Sequence, residues 1–321
     1  MNMKAQLLTA TLFTSFSGVL FAADPILLNL VMPDAKVVAG VNVQQAKGTP
    51  FGQFILNQMQ TSDAQVQALI ALTGFDPRRD VNELLVASDG APQSHSGLAL
   101  ARGTFDVAMI TAAATQHGAV TEVYGTTTII EDPKQEGGIA FLNSTTVAAG
   151  DITSVKGAID RQTMAQPLPA AILVKINQWS TSQDAWGITT VPPSSLAPPN
   201  AIKNGGQNVP FAGAAQNVQQ AAGGVKFGGI VVFSGEATTD TAQNAQTLGD
   251  LVKLMINLAQ MQAGTDPNAA ALIKSVTVNN SGNVVKVSAS LPEDTFIQML
   301  QSGHKSASPA TRSPRGPRQG K

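Results

Sequence analysis

Four apolar runs of strand length follow one another with little more than turn-sized gaps: Thr121–Tyr124, Thr126–Ile130, Gly138–Leu142 and Thr145–Ala149. A parallel pair needs a crossover of a dozen or more residues, so spacing this tight admits only hairpins and antiparallel pairing. Helix signals bracket these runs. Asp106 caps a helix carrying Met109, Ile110, Ala113, Ala114 and His117 that Gly118 closes, and Asp151 caps another through Val155, Ala158 and Ile159. Strands that pair locally, with helices set among them, define an α+β class rather than an alternating α/β one.

The same signals extend upstream. Val37–Val43, Leu84–Ala87 and Gly97–Arg102 read as strands. Thr49-Pro50 opens a helix through Phe54, Ile55, Gln58 and Met59, Ser62 with Gln65 starts a second, Gly74 ends it, and Asp76-Pro77 opens a short turn of helix. Downstream, Ala185–Val191 is a strand, residues 192–210 form a loop dense in Pro, Gly and Asn, Phe211–Ala222 reads as a helix and Val225–Thr238 as one long strand. Asp240 with Gln243 caps the most regular helix. Its apolar face is Leu248, Leu251, Val252, Met255, Leu258 and Ala259, opposite Gln246, Asp250, Lys253, Asn257 and Gln260. Asp266-Pro267 opens a short helix, strands Ser275–Val278 and Val284–Leu291 flank the turn Asn280-Ser281-Gly282-Asn283, and Pro292 opens the last helix.

The strand ending at Gly103–Asp106 and the strand ending at Glu236–Asp240 are each followed by a helix, further antiparallel strands and a closing helix. We therefore expect two related units of antiparallel sheet with helices packed on one face, one at residues 24–165 and the other at 166–303.

Both ends differ from this body. Met1–Lys4 carries one cation, a short apolar run from Leu7 to Phe21 follows, and Ala22-Ala23 closes it, the layout of a secretory signal peptide over residues 1–23. The run is short and diluted by Thr and Ser for a spanning helix. Residues 304–321 hold Lys305, Arg312, Arg315, Arg318 and Lys321 among Ser, Pro and Gly, the composition of a disordered basic tail. Of the 20 Lys and Arg, six lie in these two ends, where there is no acid; the other 14 face all 21 Asp and Glu, so the body carries −7. An acidic body excludes a specific nucleic-acid protein, and the tail is expected at most to contact anionic surfaces weakly.

The chain has no cysteine, which removes disulfides, thiolate metal sites and cysteine nucleophiles. Read with the leader, it points to a periplasmic or secreted bacterial protein. Three histidines, His95, His117 and His304, show no metal spacing, and the nucleophile-elbow, phosphate-loop and dinucleotide patterns are absent. Gly223-Gly224 and Gly228-Gly229 suit close backbone packing, and Arg78-Arg79 beside Asp76 and Asp80 suit local ion pairs. The acids Glu131, Asp132 and Glu136 crowd one loop without calcium-loop spacing.

Gly74-Phe75-Asp76-Pro77-Arg78-Arg79-Asp80, Gly103-Thr104-Phe105-Asp106, Tyr124-Gly125, Ala140-Phe141-Leu142 with Gly150-Asp151, and Val155-Lys156 with Ala158-Ile159-Asp160 together resemble uncharacterised exported bacterial proteins with a signal peptide and a duplicated α+β body. That resemblance implies no activity and no catalytic residue. No cofactor is expected. Trp179, Trp186 and Tyr124, the large amphipathic aromatics, are the candidate lining of a ligand pocket. The reading is a non-enzymatic binding or structural protein of the cell envelope, its partner an unknown envelope component. Two alternatives stand beside it: an envelope hydrolase using paired carboxylates such as Asp106, Glu122 or Asp151, and a carrier of an apolar ligand.

Overall fold

Every strand pairs antiparallel, and all of them join one sheet. In the computed structural model, which describes residues 22–62, 64–91, 96–131, 137–192, 216–262 and 267–306, the strands are β1 (Val37–Asn42), β2 (Val81–Ser88), β3 (Gly97–Gly103), β4 (Val120–Tyr124), β5 (Thr127–Glu131), β6 (Gly137–Asn143), β7 (Thr146–Asp151), β8 (Ala185–Thr189), β9 (Val218–Lys226), β10 (Ile230–Thr239), β11 (Thr277–Ser281) and β12 (Val284–Pro292). They form a 12-stranded sheet in the order β11-β12-β10-β9-β8-β1-β2-β3-β7-β6-β5-β4. The α+β class stands as expected. What the sequence does not show is that the two units share a sheet, sewn together where β1 pairs with β8, Val38 opposite Ile188 and Gly40 opposite Trp186. From that seam outward each half repeats one order: three meandering strands, then the last strand beside the third, then the one before it.

The helices are α1 (Pro25–Leu30), α2 (Val43–Lys47), α3 (Pro50–Ser62), α4 (Ala64–Thr73), α5 (Pro77–Asp80), α6 (Val107–Gln116), α7 (Ile152–Arg161), α8 (Ala170–Ser182), α9 (Ala242–Gln262), α10 (Pro267–Ser275) and α11 (Glu293–Ser306). Capping follows the sequence closely. Thr49 Oγ1 accepts from Gly52 N at 3.0 Å, Asp76 from Arg78 N at 3.0 Å, Asp106 from Met109 N at 3.0 Å and Asp151 from Ser154 N at 2.9 Å. At α9 the cap moves one residue, since Thr241 Oγ1 accepts from Asn244 N while Asp240 binds the Asn244 amide.

Two segments correct the sequence reading. Residues 218–222, expected in a helix, belong to β9, and the expected single strand 225–238 is a hairpin, β9 turning at Phe227–Gly229 into β10. Ala and Gln favour helix by only tenths of a kcal/mol per residue, and here ladder bonds to β10, joined by β8 at Ala221 and Ala222, override them. Gly228, at φ 153°, supplies the turn. Of the paired glycines only Gly223-Gly224 are close-packing residues: a Cβ on Gly224 would stand 2.6 Å from the Gln183 side chain and 2.8 Å from the Ala185 carbonyl, whereas one on Gly229 would meet nothing within 4 Å. The leader up to residue 21, His95, Asp132, Glu136, residues 193–215 and the tail from residue 307 lie outside the described residues.

Helices occupy both faces of the continuous sheet. On one face α1, α7 and α8 cover Val38, Leu85, Leu98, Leu100, Ile129, Ala140 and Ala148 and form the main core with Leu27, Val155, Ile176 and Trp179. On the other face α9 docks by Ala245 and Leu248 onto Val285 and Val218. Toward the seam this second face is only partly covered by the described residues: Ala39, Val41, Leu84, Val86, Ala99, Val147, Ala149 and Ile139 are cross-strand neighbours without one charge among them. Leu84, Val86 and Ile139 are exposed.

Candidate functional site

The apolar face of α9 is wider than the sheet it covers. Its first turns are sunk, Ala245 at 0% and Leu248 at 4% exposure, yet Leu254, Met255 and Leu258 are about half exposed and Met261 is 80% exposed. The second half of the helix therefore leaves apolar side-chain area uncovered by the described residues, which disfavours a free surface by roughly 25 cal/mol per Å². Beneath it lies a cavity of about 540 Å³. Phe233 on β10 and Ala289 on β12 form its floor, directly opposed in register. Val252, Met255, Ile256 and Ala259 of α9 form one wall, and Leu272, Ile273 and Val276, on α10 and just after it, form the other. Among the described residues every lining side chain is apolar.

An aromatic series anchors this floor to the rest of the molecule. The Phe233 ring meets Phe296 of α11 edge-on at 5.4 Å, Phe296 meets Phe51 of α3 at 5.1 Å, and Phe51 stacks on Phe227 at 4.6 Å. Glu293, buried at the start of α11, accepts a bond from Phe51 N at 2.9 Å and so ties α3 to α11.

The residues singled out from the sequence fall in separate places. Trp179 on α8 and Trp186 on β8 are both core residues, Trp186 packed so tightly over β1 that a Cβ on Gly40 would come within 2.7 Å of its ring. Trp179 lines a polar pocket of about 280 Å³ with Gln178, Ser234, Glu236 and Lys286. Glu236 there pairs with Lys175 and, at 3.5 Å, with Lys286. Tyr124 belongs to β4, seven strands from β8 and thus about 33 Å away at the usual spacing. It donates to Asp160 at 3.1 Å and lies under Lys156, 5.3 Å from the ring centre. None of the cavities described among these residues is lined by two of the three aromatics.

The carboxylates are equally dispersed. Asp106 and Asp151 are spent as helix caps, Asp151 also accepting from Gly97 N at 2.9 Å. Glu122 pairs with Lys156 at 2.8 Å. No cavity described among these residues is lined by two of the three. Glu122 does meet Glu131 of the neighbouring strand: the bond from Lys156 holds Glu122 below the usual carboxylate range, while the adjacent Glu122 pushes Glu131 above it. That pair lines none of the described cavities. Arg78 and Arg79 bind Asp76 and Asp80 at 2.7 and 2.6 Å, local pairs as expected, and hydrogen bonds from the guanidinium groups hold both carboxyls low. Among the described residues no cluster of three metal-ligating side chains occurs, and no helix is long and apolar enough to cross a membrane.

Sequence reasoning assigned Val252, Met255 and Ala259 to the buried face of α9 and overlooked their partners. Phe233 and Ala289 become groove residues only once β10 and β12 are registered, a non-local fact. The apolar pair Leu272-Ile273 on the short helix after Pro267 was the available signal.

The class defined by this geometry is an all-antiparallel α+β protein with helices on both sheet faces. Its fold is similar to that of TP0453, a bacterial protein. Crystal form III of TP0453 matches with TM-score 0.55 at 9% identity over 86% of this chain and 97% of that one, and crystal form I with TM-score 0.53 at 10% identity over 87% and 97%. At such identity the likeness concerns the fold alone. No family model and no curated protein matches the chain.

Proposed function

We propose that this chain is an exported, non-enzymatic binding protein of the bacterial envelope, and that its ligand is apolar. One observation carries the reading: a cavity of about 540 Å³ between α9, α10 and the sheet whose described lining side chains are all apolar. Ligand pockets run from about 300 to 1,000 Å³ and are mainly apolar, so the size is that of a binding site rather than a packing defect. Each methylene buried there contributes about 0.8 kcal/mol, enough for a hydrocarbon chain to bind without a polar anchor. The exposed Leu254, Leu258 and Met261 beside it extend the same surface. Export rests on the leader pattern of residues 1–23 and the absence of cysteine.

Native mass spectrometry of protein purified from envelope fractions tests both parts. The expected result is a mass beginning near residue 23 or 24, with an apolar adduct that organic extraction removes. A full-length mass would refute export, and a clean mass that takes up no added dodecanol would refute the apolar ligand.

A further inference from the structure

Arg161, the last residue of α7, is a buried cation with no carboxylate partner among the described residues. It is 8% exposed, its Nε donates to the Leu30 carbonyl at 2.9 Å, and its Nη2 donates to nothing. The nearest acids act on it only through space: Asp34 is exposed, and Asp160 receives the Tyr124 hydroxyl. Burial pushes the guanidinium below its usual range, yet arginine keeps its proton in any protein setting. An unpaired buried charge is costly unless something supplies the missing acceptor.

The surroundings show where that acceptor would sit. Arg161 lines a cavity of about 320 Å³ between α1, α7 and the β6–β7 turn, together with Asn29, Asn143, Thr146 and Gln162. Arg161 and Thr146 are buried, while Asn29, Asn143 and Gln162 are exposed. Thr146 is already engaged by Arg102 at 2.6 Å. The open valence is the guanidinium, and the neighbouring amides supply neutral donors. We propose that this cavity is a binding site for a small carboxylate, its oxygens paired to Arg161 and flanked by the amides of Asn29, Asn143 and Gln162. A single cation matches a monoanion. A phosphate, with roughly −1.5 to −2 charge, would exceed it. The site lies on the face of the sheet opposite the apolar groove, and the two proposals stand or fall separately.

Isothermal titration of the full-length protein with sodium acetate, glutamate and glucuronate, against glucose and sodium chloride at equal ionic strength, tests the proposal. Saturable one-to-one binding of at least one carboxylate is expected, absent for glucose and chloride. Asn143→Asp keeps the oxygen that accepts from Thr145 N at 2.8 Å and adds a negative charge to the lining, so it should weaken binding at least tenfold while the fold is retained. Arg161→Met should abolish it. No saturable binding of any of the three carboxylates, equal binding of glucose, or affinity unchanged in Asn143→Asp would overturn the assignment.

Discussion

Glu83 shows how a single side chain sets pH dependence in this molecule. It is largely buried on β2, and burial raises its carboxyl above the usual range even though Asp24 N donates to it at 3.0 Å. A raised acid favours folding only while protonated, so that contribution is lost as pH rises through the folded value. Glu83→Gln keeps an acceptor for Asp24 and removes the charge. Its melting temperature should exceed that of the unaltered protein at pH 7, with the advantage disappearing as pH falls through the carboxylate range; a lower melting temperature at pH 7 would contradict this. Lys156 acts in the opposite sense on Glu122, whose carboxyl it holds low. In Lys156→Met, carboxyl-carbon NMR should find Glu122 titrating at higher pH, and an unmoved curve would show that the ion pair is not the cause.

At the scale of elements, α1 is the piece the sequence reading passed over, although Asp24-Pro25 is the same start signal as Asp76-Pro77 and Asp24 accepts from Ile26 N at 2.7 Å. Too short to display a helical period and adjoining the leader pattern, it nonetheless inserts Leu27 at 0% and Leu30 at 3% exposure into the main core. Leu27→Ala should cost about 2–5 kcal/mol in denaturant unfolding; a loss below about 1 kcal/mol would mean that α1 is not part of the cooperative unit. The contrast with α6 and α7 is physical. Their caps, Asp106 and Asp151, act within three residues, so local sequence shows them. The helix-like Gln219–Ala222 became strand because β8 and β10 flank it, and those partners lie outside any local window. The groove was half legible for the same reason. The α9 stripe was readable from its period, but its floor of Phe233 and Ala289 depends on register, and nothing in a period says that the helix will stand off the sheet beyond Leu248.

For the whole molecule, the seam between β1 and β8 makes two sequence units into one sheet. Unfolding should therefore be a single transition, with near-ultraviolet signal and far-ultraviolet signal lost together; two separated transitions would show independent halves. Gly40→Ala, which drives a methyl into the Trp186 ring at the seam, should lower that one transition rather than split it. Removing residues 307–321 should leave both the transition and the groove unaffected. Methyl NMR of the methionines and isoleucines during titration with dodecanol reads the apolar groove itself. Saturable shifts at Met255 and Ile256 are expected, abolished when Ala259→Phe fills the cavity. Shifts confined to the outward Met261, or unchanged in Ala259→Phe, would contradict binding in the groove.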